Sequence, residues 1–186
     1  MLAFGDLSWV PFTYTLQARY LVLFPRVLAL WEVIGIVGVY LAGMYIFRAS
    51  NSQKDAFRTN PTDLSVAREF LSFLFFSFSF LQQTKTNQCN STDLKTMGTK
   101  RGTKLIISGW WGTARHINYF GDWLMGLAYC LPCGFDSVIP YFFAIYFAIL
   151  LIHRERRDDH ACHKKYGADW KRYCDLVRWR IVPFLY

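Results

Sequence analysis

Leu28–Phe47 reads LALWEVIGIVGVYLAGMYIF, and within it Glu32, near the start, is the only charge before Arg48 closes the run. A helix crossing a bilayer needs about 20 predominantly apolar residues, so this stretch predicts a membrane-spanning helix. Upstream, Leu7–Leu16 is apolar apart from Ser8, Thr13 and Thr15, is interrupted by Pro11, and is flanked by Asp6, Gln17 and Arg19. To span, this helix has to run from Met1 to about Phe24 with Asp6 inside it, either as a paired intramembrane acid or as an interfacial cap. Downstream, Trp123–Leu131 opens another apolar segment, broken by Pro132-Cys133-Gly134, and Val138–Ile152 (VIPYFFAIYFAILLI) is the last. Leu71–Leu81 (LSFLFFSFSFL) is too short to span. The expected fold class is all-α: a polytopic transmembrane helix bundle with a cytosolic C-terminal helical tail.

Composition agrees. The 186 residues are 53% hydrophobic and 19% aromatic, beyond the range of an ordinary soluble domain, yet carry a net charge of +8. The charges cluster between the apolar runs. They form no continuous basic stripe, which argues against nucleic-acid binding and for loops on an anionic leaflet. The turn Leu131–Ser137 has no Lys or Arg. Positive-inside logic puts that turn in the lumen and Arg48–Arg115 and His153–Tyr186 in the cytosol, with Arg19 and Arg26 running against it. On that topology the glycosylation acceptor Asn90-Ser91-Thr92 sits in a cytosolic loop and stays unmodified. Met1 opens onto an apolar run with no basic stretch before it, so no cleavable signal peptide is expected. Five cysteines (Cys89, Cys130, Cys133, Cys162, Cys174) in no dense framework read as reduced thiols.

Three polar stretches remain. Arg48–Arg58 (RASNSQKDAFR) places Lys54 and Arg58 four apart, on one face if helical; they read as a phosphate clamp or as interfacial anchors. Asn60–Asp63 (NPTD) then marks a turn. Ser108–Asp122 (SGWWGTARHINYFGD) mixes glycines and indoles with Arg115, His116, Asn118 and Asp122, a composition suited to a cofactor with an adenine, a ribose and phosphates. His116 reads as a general acid or as a group orienting Asp122 or a carbonyl. On a helix continuing through His153–Tyr166, at about 100° per residue, Asp158, Cys162, Lys165, Tyr166 and Asp169 share roughly a third of the circumference. That face offers an acid, a cation and a ring; the competing reading is a solvated, salt-bridged helix. Gly167 breaks it, and Tyr173 lies beyond. His153, His160, Cys162 and His163 fit no compact zinc spacing, and no metal is expected. There is no GxGxxG after a strand and no P-loop, so a dinucleotide would bind outside a Rossmann fold. The end, Trp179–Tyr186, reads as a segment folded back on the membrane face.

Taken together, MLAFGDLSWVPFTYTLQARYL, FRASNSQKDAFRTNPTD, GTKLIISGWWGTARHINYFGDWL, VIPYFFAIYFAILLIHRERRDDHACHKKYGADWKRYC and VRWRIVPFLY resemble the sterol reductase family, most closely its fungal-type delta-14 branch. Lamin B receptor and 7-dehydrocholesterol reductase are similar. The resemblance implies a multi-pass protein of the endoplasmic reticulum membrane that uses NADPH to reduce the sterol C14=C15 double bond, with sterol entering from the bilayer. It implies cofactor contacts at Lys54, Arg58, Ile106, Trp111, Asn118, Tyr119, Asp158, Cys162, His163, Lys164, Lys165, Tyr166 and Tyr173, and assigns no proton donor. A non-catalytic scaffold of the lamin B receptor type and an isoprenylcysteine-type methyltransferase are the alternatives. Family members carry several spans before the MLAFGD motif, so the chain reads as a C-terminal portion. Oligomeric state is not legible.

Arg68–Thr92 has no counterpart in the resemblance and reads as an insertion. Its ends, Ala67-Arg68-Glu69-Phe70 and Asn90-Ser91, can be encoded with a donor-like GTGAGT and an acceptor-like AACAG, which suggests translated intron sequence. Transcript reads are then expected to include a shorter, spliced form; reads that run through the segment with no shorter form contradict this.

Overall fold

A computed structural model of the chain describes residues 10–59 and 94–186. Asp6, the Asn60–Asp63 turn, the Leu71–Leu81 run, the Asn90–Thr92 acceptor and the Arg68–Thr92 insertion lie outside the described residues.

The described chain is mostly helical. Among the described residues, helix α1 covers Val10–Leu23 and includes Pro11. Helix α2 (Leu30–Thr59) runs unbroken through both the apolar stretch and Arg48–Arg58, so Lys54 and Arg58 do share a face. Glu32 holds its start: the Glu32 carboxylate accepts the Ala29 N–H at 2.9 Å and pairs with the Arg26 guanidinium. This is half of a capping box, and it accounts for an acid at the head of an apolar helix.

A two-stranded antiparallel hairpin, β1 (Thr96–Gly98) and β2 (Lys104–Ile106), departs from the all-α expectation; Thr96 faces Ile106 and Gly98 faces Lys104. A single turn, α3 (Trp110–Thr113), precedes α4 (Ile117–Ala128). Two short 3₁₀ turns, Leu131–Cys133 and Ile139–Tyr141, lead into α5 (Phe142–Tyr166). That helix continues from the last apolar run into the charged tail, as expected, and ends at Gly167, whose φ of 56° opens the turn into α6 (Ala168–Leu176).

The described residues form two compact units: 10–45 with 119–156, and 46–59 with 94–118 and 157–186. In the first, aromatic edges meet faces. Tyr14 packs against Tyr129 and Phe143 with ring centroids 5.6 and 5.4 Å apart, and Tyr40 meets Tyr129 at 6.0 Å. Gln17 is buried and donates to the Cys130 thiol, while the Cys133 thiol donates to the Gln17 carbonyl. The four described cysteines are unpaired. Much apolar surface still faces outward: Trp31 is 73% exposed and Val27 97%.

The second unit has a small core of Met97, Trp170, Tyr173 and Val177, with Leu105, Ile107, Cys162, Tyr166 and Cys174 against it. Trp170, Tyr173 and Val177 form an apolar stripe at i, i+3 and i+7, and the hairpin is its cover. The Lys100 N–H at the hairpin turn donates to the Asp169 carboxylate at 2.8 Å.

In the first unit Gly43 of α2 sits against α4. A Cβ there would fall 2.7 Å from the Gly121 carbonyl oxygen and 2.9 Å from the Leu124 Cβ. Small residues permit such close helix approach. Gly43→Ala should lower the melting temperature of the detergent-solubilised chain by several degrees, corresponding to about 1–3 kcal/mol of overpacking. Gly35→Ala, with nothing within 4 Å, should not; equal effects would contradict the close approach.

Candidate functional site

Helix α2 supplies the floor of the site in the second unit. Its last turns present Ser50, Asn51, Gln53 and Lys54, spaced so that they fall on adjoining faces. The Trp110 N–H donates to Gln53 Oε1 at 3.0 Å, and Trp111 Nε1 donates to the Ser50 carbonyl at 2.8 Å. Trp111 is buried, and the Lys54 ammonium lies 4.2 Å from the centre of its ring. Asn118 Nδ2 donates to Asn51 Oδ1 at 3.4 Å; Asn118 Oδ1 is buried and has no hydrogen-bond partner among the described residues. The Lys54 charge also interacts with Asp158 and with the Cys162 thiol of α5, and with Arg58 one turn on.

Past Asp158 and Cys162, Tyr166 stacks on Trp170, which packs against Tyr173 at 5.0 Å. The Lys165 ammonium stands 5.0 Å from the Tyr166 ring. Burial pushes the Cys162 thiol up, with Asp158 and Asp159 adding to it, so the thiol stays protonated and offers a contact rather than a nucleophile. Burial raises Tyr173 to about 12, and its hydroxyl keeps its proton at any physiological pH. Ile106 is buried in β2.

Among the residues singled out from the sequence, Lys54 lies over Trp111 and in the field of Asp158, Asn118 bonds Asn51 of the same helix as Lys54, and Tyr166 and Tyr173 flank Trp170. Arg58, Lys164 and His163 are exposed. His163 faces a second cavity, with its Nε2 4.0 Å from Asp159. Tyr119 belongs to the first unit, where the Arg154 guanidinium lies 5.5 Å from its ring.

His116 does not suit the role of acid. Burial lowers it to about 4, with Lys54 and Arg115 lowering it and Asp158 and Asp159 opposing. It is neutral at pH 7 and carries no imidazolium proton to give. The tail folds back onto the backbone beside it: the Arg115 N–H donates to the Trp179 carbonyl at 3.0 Å and the His116 N–H to the Arg180 carbonyl at 2.8 Å.

Ser50, Gln53 and Arg178 went unremarked in the sequence reading. The i, i+3, i+4 placement of Ser50, Gln53 and Lys54 on one helix was the available signal for the first two. Nothing local marks Arg115 as buried.

The family model for the ergosterol biosynthesis ERG4/ERG24 family matches residues 1–186. The chain belongs to that family. Curated relatives agree along its whole length. It is 50% identical to the Delta(14)-sterol reductase erg24 of Schizosaccharomyces pombe, over 100% of this chain and 38% of the relative. It is 47% identical to the Delta(14)-sterol reductase of Methylotuvimicrobium alcaliphilum and 45% identical to Delta(14)-sterol reductase TM7SF2 of Mus musculus, again over 100% of this chain and 38% of each relative. The chain therefore spans about 38% of the length of these curated relatives. In this ERG4/ERG24 chain the converging polar side chains come from three separated motifs that also carried the resemblance.

The depressed His116 makes a pH prediction. Its folded value lies below the ordinary 6.5, so its contribution is present above pH 6.5 and is lost as pH falls towards 4. Between pH 7 and pH 5 the loss is about 2 kcal/mol. Melting curves of wild type and His116→Gln should diverge over this window, the variant being the less acid-sensitive; parallel curves would contradict the buried neutral imidazole.

Proposed function

We propose that the chain forms the cofactor-binding part of a membrane-embedded, NADPH-dependent sterol reductase acting on the C14=C15 double bond. The observation that carries this reading is the Lys54 ammonium set over the Trp111 ring and in the field of Asp158, within one unit. The residues fit a phosphorylated dinucleotide: Lys54 and Arg58 are cations for phosphate, Asp158 an acceptor for ribose hydroxyl or amide N–H, and Tyr166 a ring for stacking. The orphaned Asn118 Oδ1 fits an amide donor, since a buried acceptor left unpaired costs about 1–3 kcal/mol. NADPH, when bound, supplies hydride to C14 after a proton has reached C15. The chain's own residues hold and orient: Trp111 fixes the Lys54 ammonium, and Trp170 fixes the rings of Tyr166 and Tyr173. Neutral His116 leaves the proton to another group, and aromatic walls tolerate a cationic carbon.

The membrane part of the reading rests on lengths. Among the described residues one helix, Leu30–Arg58, is long and apolar enough to cross a bilayer. Helix α2 has 30 residues, about 45 Å at 1.5 Å per residue, against a hydrocarbon core of about 30 Å. With its apolar part in the bilayer, Arg48–Arg58 stands in the aqueous phase, on the cytosolic side by positive-inside logic. The exposed apolar surface of the first unit suits lipid and supports the reading of a multi-pass endoplasmic reticulum bundle with a cytosolic tail. In that unit a cavity of about 250 Å³ among Tyr14, Tyr40, Tyr129 and Phe143, with Asp122 at its wall, suits one end of a sterol.

Purified chain in detergent, titrated with NADPH, NADH and S-adenosylmethionine, tests the reading. NADPH should bind at least tenfold more tightly than NADH, and Lys54→Gln with Arg58→Gln should remove that preference. Preference for the methyl donor, or binding of neither dinucleotide, would overturn it.

A further inference from the structure

The second unit holds another cavity, about 550 Å³, on which Arg115, Arg178 and Arg180 converge with His163. Arg115 is buried and poorly satisfied. Its Nε has no hydrogen-bond partner among the described residues, and its Nη1 donates to the Cys174 sulfur, a weak acceptor. Its nearest carboxylate oxygen, Asp159 Oδ1, is 3.6 Å away and already accepts the Trp170 indole N–H at 2.8 Å. A buried guanidinium without full pairing is unfavourable unless an anion completes it.

The other two arginines are delivered by the fold. The backbone bonds from Arg115 and His116 to Trp179 and Arg180 pin the tail beside Arg115, and Arg178 and Arg180 both line the cavity. Asp159 and Asp175 also line the cavity, which leaves one formal positive charge with His163 neutral. Arg115 and Trp170 already draw on Asp159.

We propose that this cavity binds a phosphate group, separately from the Lys54–Trp111 cluster. Guanidinium forks match phosphate oxygens in geometry and charge. The same chemistry is carried by the phosphate of a mononucleotide and by a phospholipid headgroup. The site does not depend on the reductase reading.

The test is calorimetric titration of the 186-residue chain in detergent with inorganic phosphate, adenosine 2′-monophosphate and mixed micelles containing phosphatidic acid. At least one probe should bind, and Arg178→Gln with Arg180→Gln should weaken it tenfold or more. Tighter binding of the nucleotide supports the mononucleotide source, and tighter binding of the lipid the headgroup. As a check that needs no variant, inorganic phosphate should protect Arg178 and Arg180 of the wild-type chain from phenylglyoxal, read by peptide mass spectrometry. No binding by any probe, wild-type affinity in the double variant, or unprotected arginines overturns the site. A chain that ignores both dinucleotides yet binds phosphate through Arg178 and Arg180 would sink the reductase reading and leave this one standing.

Discussion

The site in the second unit depends on one contact, the Lys54 ammonium over the face of the Trp111 ring. Its two components do different jobs. Burying an indole of about 200 Å² is worth about 5 kcal/mol, whereas a cation over its face adds about 0.5–2 kcal/mol. Ring burial, with the indole N–H tied to the Ser50 carbonyl, therefore fixes Trp111 on helix α2. The weaker cation–ring attraction then decides where the Lys54 charge stands. With that charge in place, Asp158 and Cys162 of α5 face a cation, and His116, buried among the same charges, is held neutral.

A second constraint comes from the tail. Trp170, Tyr173 and Val177 need an apolar partner, and the hairpin supplies one through Met97, Leu105 and Ile107. Covering that stripe brings Tyr166 and Tyr173 into a stack with Trp170 and ties the hairpin turn to Asp169. Basic, solvent-facing residues on either side keep the unit polar outside. The first unit shows the opposite balance, with aromatic packing inside and apolar side chains still exposed.

What could be read from the sequence was what periodicity and length record. The run Leu28–Phe47 marks its helix by hydrophobicity alone, and Asp158, Cys162 and Tyr166 share a face by simple arithmetic of 3.6 residues per turn. The hairpin was hidden because three-residue strands in a basic segment leave no alternation to detect. The return of Trp179 and Arg180 onto Arg115 and His116 is made by backbone hydrogen bonds, which impose no residue pattern. The burial of Arg115 is a tertiary outcome that no local pattern records. Family membership, by contrast, was legible in the long motifs, because their order and content exceed what packing alone requires.

The central claim is that Ser50–Arg58, Ile106–Asn118 and Asp158–Tyr173 act as one binding surface. Hydrogen–deuterium exchange of the detergent-solubilised chain, with and without NADPH, tests it most directly. The account predicts slowed exchange in all three segments together, at the same ligand concentration. Protection confined to one segment, or in none of them, would contradict it.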